Sequence, residues 1–221
     1  LAFQGGSLNT AGYLAVHRFV SHLTGFATLA GVAGAKLEWA TMFGMLIVPL
    51  FFLIGVIISA WNVERQRIKN LIPRYSLVFS IIIFNILLIL ILGINGYLGE
   101  FGEPLTAQRD YFLMFILAFT CGLQNAVISS ASGMVIRTTH LTGPTTDFGI
   151  GIVRIWSTRK NLHKPELFAA RCRFGIYFSF IAGSLVSAFL FFNFKFYGFV
   201  LPLAISLFSA IRLREIHRKS L

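Results

Sequence analysis

Apolar residues in this chain come in long runs separated by short polar segments. Uncharged runs cover residues 1–17, 19–35, 42–61, 75–99, 111–136, 174–194 and 196–211, and a mostly apolar run covers 138–156. Several of them reach the roughly 20 residues that a helix needs to cross the hydrocarbon core of a bilayer. The pattern therefore predicts an all-α membrane protein. The first run contains many small and polar residues, so we expect it to face protein or a cavity and not lipid.

The sequence contains an internal repeat. A Gly-x-x-Asn motif at 6–9 returns at 122–125, a His-Leu-Thr-Gly block at 22–25 returns at 140–143, and a Phe-x-x-Gly-x-x-x-Ser-Ala motif at 52–60 returns at 180–188. The motifs recur in the same order, at offsets of 116, 118 and 128 residues. The similar apolar composition of membrane segments would not by itself reproduce these motifs in the same order. The recurrence therefore predicts an internal duplication. The halves are residues 1–98 and 111–213, joined by an acidic external linker at 99–110 and followed by a basic cytoplasmic tail at 214–221.

The charges of the loops predict how the two halves are oriented. The net charge is +3 over 62–75, −2 over 98–110, +5 over 154–173 and +3 from residue 212 onward. The positive-inside rule places the basic segments in the cytoplasm. An even number of crossings must then separate 62–75 from 154–173, and the runs 75–99 and 111–136 already supply two. The run 138–156 is therefore expected to enter the membrane and return, and the repeat predicts the same for 19–35.

The resulting prediction is six transmembrane helices, at about 1–17, 42–61, 76–98, 111–133, 174–193 and 196–212, plus two re-entrant half-helices that carry His-Leu-Thr-Gly. Three crossings in each half make the repeats inverted in topology. Both termini, including the C-terminus, are expected in the cytoplasm. The alternative is that both His-Leu-Thr-Gly segments cross fully, which gives eight spans and leaves one strongly basic loop outside.

The amino-acid composition agrees with a membrane protein and argues against several classes of function. Only 12% of the residues are charged, against about a quarter in soluble domains. The net charge of +11 lies mostly in loops between apolar runs, where it orients helices beside anionic lipid, so nucleic acid is not an expected partner. Cys121 and Cys172 form no disulfide or metal-binding pattern. Without a phosphate-binding loop or a hydrolase motif, we expect no enzyme activity, no cofactor and no metal.

The His-Leu-Thr-Gly blocks are the candidate solute-binding site, because they concentrate polar groups at membrane depth. A half-helix that begins there leaves backbone N–H groups unpaired, and these favour an anionic or carbonyl-bearing solute. Each histidine either contacts solute or relays protons, or it holds the re-entrant turn by a hydrogen bond. Asp147 either contributes to the site, compensates the helix dipole or forms a salt bridge to Arg137 or Arg154. The candidate residues are His22, Thr24, Gly25, His140, Thr142, Gly143, Asp147 and Asn125.

Two pairs of small residues are candidates for close helix packing. Gly55 and Ser59 in the first half, and Gly183 and Ser187 in the second, have the small-xxx-small spacing that lets helix backbones approach. We expect these pairs to join the halves.

The motifs resemble a known family. Residues 2–9 and 19–25, followed by 122–126 and 138–143, are similar to the YoaK-like family of bacterial integral membrane proteins over essentially the whole chain. Two positions depart from the family pattern. Members of the family usually have an acidic residue near the position of Asn9, and they usually have an Asn where this chain has Phe26. The resemblance implies a bacterial inner-membrane protein of uncharacterised activity.

The leading functional prediction is a small-solute transporter or channel with a site at mid-membrane between the repeats. Its expected partners are the lipid bilayer, a small-molecule solute, and a second copy or a larger membrane complex. The alternative is a non-transporting accessory or structural subunit of a membrane complex. An intramembrane enzyme would require His22, His140 and Asp147 to converge.

Overall fold

The structure, a computed structural model, describes residues 1–103, 108–131, 142–157 and 164–219, and the secondary structure in these ranges is helical. The helices are α1 (Ala2–Val16), α2 (Leu23–Ala35), α3 (Trp39–Asn62), α4 (Glu64–Ile68), α5 (Tyr75–Ile94), α6 (Gln108–Ala131), α7 (Thr142–Ser157), α8 (Lys164–Phe194) and α9 (Val200–Lys219). A 3₁₀ turn, Lys195–Phe199, joins α8 to α9.

Four helical stretches in the described part are long and apolar enough to cross a bilayer: Trp39–Ile68, Tyr75–Ile94, Arg109–Ala131 and Ala170–Leu213. The last has 44 residues and includes the 3₁₀ turn, so it contains both predicted spans of the region, 174–193 and 196–212. α1 has 15 residues and α2 has 13. Both are shorter than the roughly 20 residues that a full crossing needs. The chain is an integral membrane protein, as the apolar pattern predicts.

Two helices extend beyond the boundaries predicted from hydropathy. α8 begins at Lys164, inside the predicted loop 154–173, and α9 continues to Lys219, through most of the predicted tail. Lys and Arg side chains can lie along a helix while their charges remain in water, so a basic stretch does not have to end a helix. Hydropathy therefore located the apolar part of each helix and not its ends.

α1 packs on α8 with the two backbones in direct contact. A Cβ atom at Gly6 would overlap the carbonyl oxygen of Phe180, and one at Gly183 would overlap the carbonyl oxygen of Phe3. Only glycine leaves room for this approach. The contact joins the first half of the repeat to the second.

α3 packs on α6 in the same manner. A Cβ atom at Gly55 would overlap the carbonyl oxygen of Phe119, and one at Gly122 would overlap that of Phe52. The two helix pairs use equivalent positions of the repeat. Phe119 and Gly122 lie 116 residues after positions 3 and 6, and positions 180 and 183 lie 128 residues after Phe52 and Gly55.

A buried polar contact joins α1 to α9. The Gln4 side chain is fully buried, and its Nε2 donates a hydrogen bond to Ser206 Oγ at 2.6 Å. Ser206 in turn donates to the carbonyl oxygen of Pro202, one turn earlier in α9, at 2.8 Å. An amide, a hydroxyl and a backbone carbonyl thus form a short relay between the two helices.

A relay of the same chemistry joins α5 to α6. Asn85 Nδ2 donates to Thr120 Oγ1 at 3.1 Å, and Thr120 donates to the carbonyl oxygen of Ile116 at 2.8 Å. Thr120 lies 116 residues after Gln4, the same offset as between the two Gly-x-x-Asn motifs, and here the hydroxyl stands where the other contact has the amide. Around these contacts lies an apolar core that includes Leu8, Ile82, Ile86, Met114 and Leu117.

Candidate functional site

The chain between α1 and α2 turns back along α1. His17, directly after α1, has a left-handed backbone with φ 53°, which reverses the chain direction. Val20 then lies against Gly12, where a Cβ atom would meet its side chain. Ser21 donates from its backbone N and its Oγ to Asn9 Oδ1, at 3.3 and 2.9 Å. We call residues 17–22 the return segment.

The return segment places the start of α2 partway down α1. Asn9 lies seven residues before Val16, the last residue of α1, a distance of about 10 Å at the helical rise per residue. α2 then leads away from this point and packs on α3, with Gly34 facing Met42. The predicted helix start at the first His-Leu-Thr-Gly block agrees with the structure, because α2 begins at Leu23.

Three predicted site residues come together at the start of α2. His22 precedes the first helical residue, and its Nε2 lies 3.0 Å from Thr24 Oγ1. The imidazole also covers Gly25, where a Cβ atom would lie 2.9 Å from His22 Nδ1. The His22 side chain makes no capping bond to the backbone N–H groups of α2. The N–H of Gly25 donates to the carbonyl oxygen of His22 at 3.0 Å, whereas those of Leu23 and Thr24 have no partner among the described residues and are donors that a solute can use.

A cavity of about 190 Å³ lies beside this turn. It is lined by His17, Arg18, Phe19, His22, Gly25, Phe26 and Leu29. The lining combines a guanidinium, two imidazoles and apolar side chains. This combination suits a small solute that carries a negative charge or a carbonyl group.

His17 and Arg18 were not among the residues predicted for the site. His17 Nε2 lies 3.0 Å from the carbonyl oxygen of Gly102, and Arg18 Nη1 donates to the carbonyl oxygen of His17 at 2.8 Å. Arg18 Nε is buried and has no hydrogen-bond partner in the described part of the chain. A sequence signal existed, because Arg18 is the one charged residue between the first two apolar runs.

The predicted residues of the second half lie on a different helix pair. α7 (Thr142–Ser157) packs on α8, whereas α2 packs on α3. Gly143 and Asp147 are exposed on α7. His140 and the side chain of Thr142 lie outside the described residues. Within the described ranges, the contacts join His22, Thr24 and Gly25 but do not bring α7 to them.

Asn125 and Asn9 occupy equivalent places in the repeat but differ in their hydrogen bonds. Asn9 accepts two bonds from Ser21, whereas Asn125 Oδ1 is buried without a partner among the described residues. Its neighbour Gln124 donates from Nε2 to the carbonyl oxygen of Leu1 at 3.0 Å. Across the described ranges, no three His, Cys, Asp or Glu side chains come together in a way that could hold a metal ion.

A protein-family profile described as "Protein of unknown function (DUF1275)" matches residues 1–212. The chain belongs to this family. The match spans both halves of the repeat and agrees with the YoaK-like resemblance of the Gly-x-x-Asn and His-Leu-Thr-Gly motifs. Comparisons with curated proteins and with solved structures gave no match. Because the family has no assigned activity, a function must be argued from the site itself.

Proposed function

We propose that the chain is a small-solute transporter or channel of the bacterial inner membrane, with its C-terminus in the cytoplasm. The observation that carries the proposal is the return segment, which brings the start of α2 about 10 Å inward from the end of α1. Irregular backbone at membrane depth is tolerated where it is buried in protein or lines a water-filled cavity. The cavity beside His22 and Arg18 fits such a role.

In this proposal, residues 17–35 form a re-entrant element and do not cross the membrane. α2 has 13 residues, so it is about 20 Å long, against about 30 Å for the hydrocarbon core. Its far end meets the first turns of α3 through Gly34 and Met42. The segment thus enters alongside α1 and leaves where α3 begins. The repeat extends the same interpretation to α7.

The proposal also includes inverted repeats. Leu1, at the start of α1, accepts a hydrogen bond from Gln124 in the second half of α6. At the other end, the carbonyl oxygen of Ala15 accepts one from the backbone of Gly102, shortly before α6 begins. α1 and α6, which the repeat makes equivalent, therefore run in opposite directions. The reciprocal glycine contacts of the α1–α8 and α3–α6 pairs support the same relationship.

The proposed solute is anionic or carbonyl-bearing. Arg18 supplies a permanent positive charge, and the uncapped N–H groups of α2 supply a dipole of the same sign. His22 and Thr24 add polar groups that fix the orientation of a solute. We assign Thr142, Gly143, Asp147 and Asn125 to the corresponding site of the second half, and we assign the protein no enzymatic role.

Flux through proteoliposomes tests the proposal. Vesicles with the full chain are challenged with potassium nitrate, formate or acetate in the presence of valinomycin, and swelling is followed by light scattering. We expect at least one anion to enter faster than into protein-free vesicles. Arg18→Gln should lower that rate by about tenfold, the factor for one lost charge-assisted hydrogen bond of roughly 1.4 kcal/mol.

Lys36→Gln is the matched control, because Lys36 is an exposed cation at the opposite end of α2. It should leave the flux unchanged. Equal losses in Arg18→Gln and Lys36→Gln would indicate a general effect of charge. The absence of flux above protein-free vesicles for all three anions would reject the proposal for solutes of this class.

A second candidate function, an accessory subunit of a membrane complex, is favoured by the exposed faces of α2 and α7. Thr24, Ala27, Thr28 and Gly31 form an exposed stripe of small residues on α2, and no atom lies within 4 Å of a Cβ placed at Gly31. Small residues at membrane depth are typical of helix contacts. Isolation from native membranes under mild detergent, followed by mass measurement, tests this candidate. A stable heteromeric complex together with no anion flux would support it.

A further inference from the structure

The segment that follows α3 forms an ordered platform at the end of a bilayer span. The backbone N–H of Arg74 donates to the carbonyl oxygen of Asn62 at 3.0 Å, which closes residues 62–74 into a compact loop. Asn62 Nδ2 donates to the carbonyl oxygen of Ile58 at 2.8 Å, and Val63 is fully buried. The loop is therefore fixed to α3 at its base. We call residues 61–74 the basic platform.

A contact to α6 holds the other side of the platform. The Arg67 guanidinium donates to the carbonyl oxygen of Ser130 near the end of α6. Arg67 also lies 4.0 Å from Glu64, the platform's one acidic residue. Arg67 and Glu64 thus serve the internal structure. Arg65, Lys69 and Arg74 supply the remaining positive charge, which makes the platform net +3.

Large aliphatic side chains project from the same platform. Ile68 is 76% exposed, Leu71 55% and Ile72 57%. Apolar side chains exposed at the end of a bilayer span can enter the membrane interface. Trp61 is also exposed, and the Arg65 guanidinium lies 3.9 Å from the centre of its ring. Trp at the end of a spanning helix is typical of the headgroup level of a bilayer.

We propose that the basic platform binds the phosphodiester headgroup of an anionic phospholipid. Arg65, Lys69 and Arg74 contact the phosphate, while Ile68, Leu71 and Ile72 enter the upper acyl region. Charge selects the partner, because a zwitterionic lipid offers no net attraction to a +3 surface. The aliphatic side chains select a lipid over a free anion, which has no apolar part. This inference does not depend on a transport activity.

Quenching of Trp61 fluorescence by brominated lipid tests the proposal. The full chain with Trp39→Phe and Trp156→Phe retains Trp61 as its one tryptophan, since the sequence has three. It is placed in phosphatidylcholine vesicles that contain about 10 mol% of lipid brominated near the headgroup, either phosphatidylglycerol or phosphatidylcholine. Enrichment at the platform predicts quenching by the brominated phosphatidylglycerol at least roughly twofold greater than by the other lipid.

Two double variants of equal charge change locate the effect. Lys69→Gln with Arg74→Gln leaves the Arg65–Trp61 contact in place and should remove the preference for phosphatidylglycerol. Lys36→Gln with Lys195→Gln changes exposed cations outside the platform and should retain it. Equal quenching by the two lipids in the parent protein would overturn the proposal without any variant. Loss of the preference on adding millimolar inorganic phosphate would overturn it in favour of a free-anion site.

Discussion

Ser59 and Ser187 occupy equivalent places in the two halves, yet their hydroxyl groups differ in hydrogen bonding. Ser187 donates to Ser7 Oγ at 2.7 Å across the α1–α8 contact. Ser59 is equally buried, but its Oγ has no partner among the described residues. The repeat explains the difference, because Leu123 stands 116 residues after Ser7. The α3–α6 contact thus has a serine and a leucine at the positions where the α1–α8 contact has two serines.

The first prediction concerns these two serines. Ser187→Ala should lower the free energy of unfolding by about 1 kcal/mol, because it removes a buried hydrogen bond. Ser59→Ala should leave stability unchanged or raise it slightly, because it removes a buried hydroxyl without a partner. Unfolding in mixed micelles with increasing dodecyl sulfate measures both. Equal losses in the two variants would contradict the described difference.

The second prediction concerns the glycine contacts between the halves. Gly183→Ala should destabilise the chain by roughly 1–3 kcal/mol, the cost of overpacking, because the added methyl overlaps the backbone of Phe3. Gly175→Ala is the matched control on the same helix, where no atom lies within 4 Å of the new Cβ. It should be neutral or stabilising, since alanine has the higher helix propensity. Thermal unfolding in detergent, followed by circular dichroism, compares the two variants.

The third prediction concerns the relay between α5 and α6. Thr120→Val leaves the Asn85 amide buried without its partner, and this should cost about 1–3 kcal/mol. Asn85→Leu in addition should recover part of the loss, because both polar groups are then gone. The double-mutant cycle therefore predicts a favourable coupling between Asn85 and Thr120. Strictly additive losses would show that the bond contributes nothing to stability.

The fourth prediction concerns the return segment. Asn9→Leu removes the acceptor that holds Ser21, so the segment should detach from α1 more often. Val20, fully buried against α1, reports this opening when it is changed to cysteine. In a Cys172→Ser background, a water-soluble thiol reagent should label Val20→Cys faster once Asn9→Leu is added.

The matched control for the return segment is Asn95→Leu. Asn95 is an exposed residue whose side chain, among the described residues, donates to its own helix at the carbonyl oxygen of Ile91. It should leave the labelling rate of Val20→Cys unchanged. A rate unaffected by Asn9→Leu would mean that apolar contacts alone hold the segment.

The sequence was informative where it repeats and where it is apolar. The runs at 42–61 and 75–99 predicted α3 and α5 closely, because twenty apolar residues can satisfy their backbone in a membrane only as a helix. The first His-Leu-Thr-Gly block predicted the start of α2. Both features are local. They depend on neighbours along the chain and not on how the helices pack.

The sequence was less informative about contacts between distant residues. Nothing in the spacing pairs Gln4 with Ser206, which lie 202 residues apart. His17 entered the candidate site because the chain reverses there, and a left-handed histidine has no sequence signature. The exposed aliphatic residues of the basic platform could likewise not be recognised from the sequence, because they lie within a loop of charged residues. Such features depend on the backbone path and require coordinates.

The helix pairing has a consequence for the order in which the protein can be assembled. The backbone contacts at Gly6, Gly183, Gly55 and Gly122 each join an earlier helix to a much later one, and Ser7 meets a residue 180 positions later. During synthesis, α1 is therefore complete long before α8, its main partner, leaves the ribosome. Until then, the face of α1 that carries small and polar residues lies in the membrane or at the insertion machinery without its partner helix. Final docking of α1 is consequently a late event, and premature termination before α8 leaves α1 without its closest neighbour.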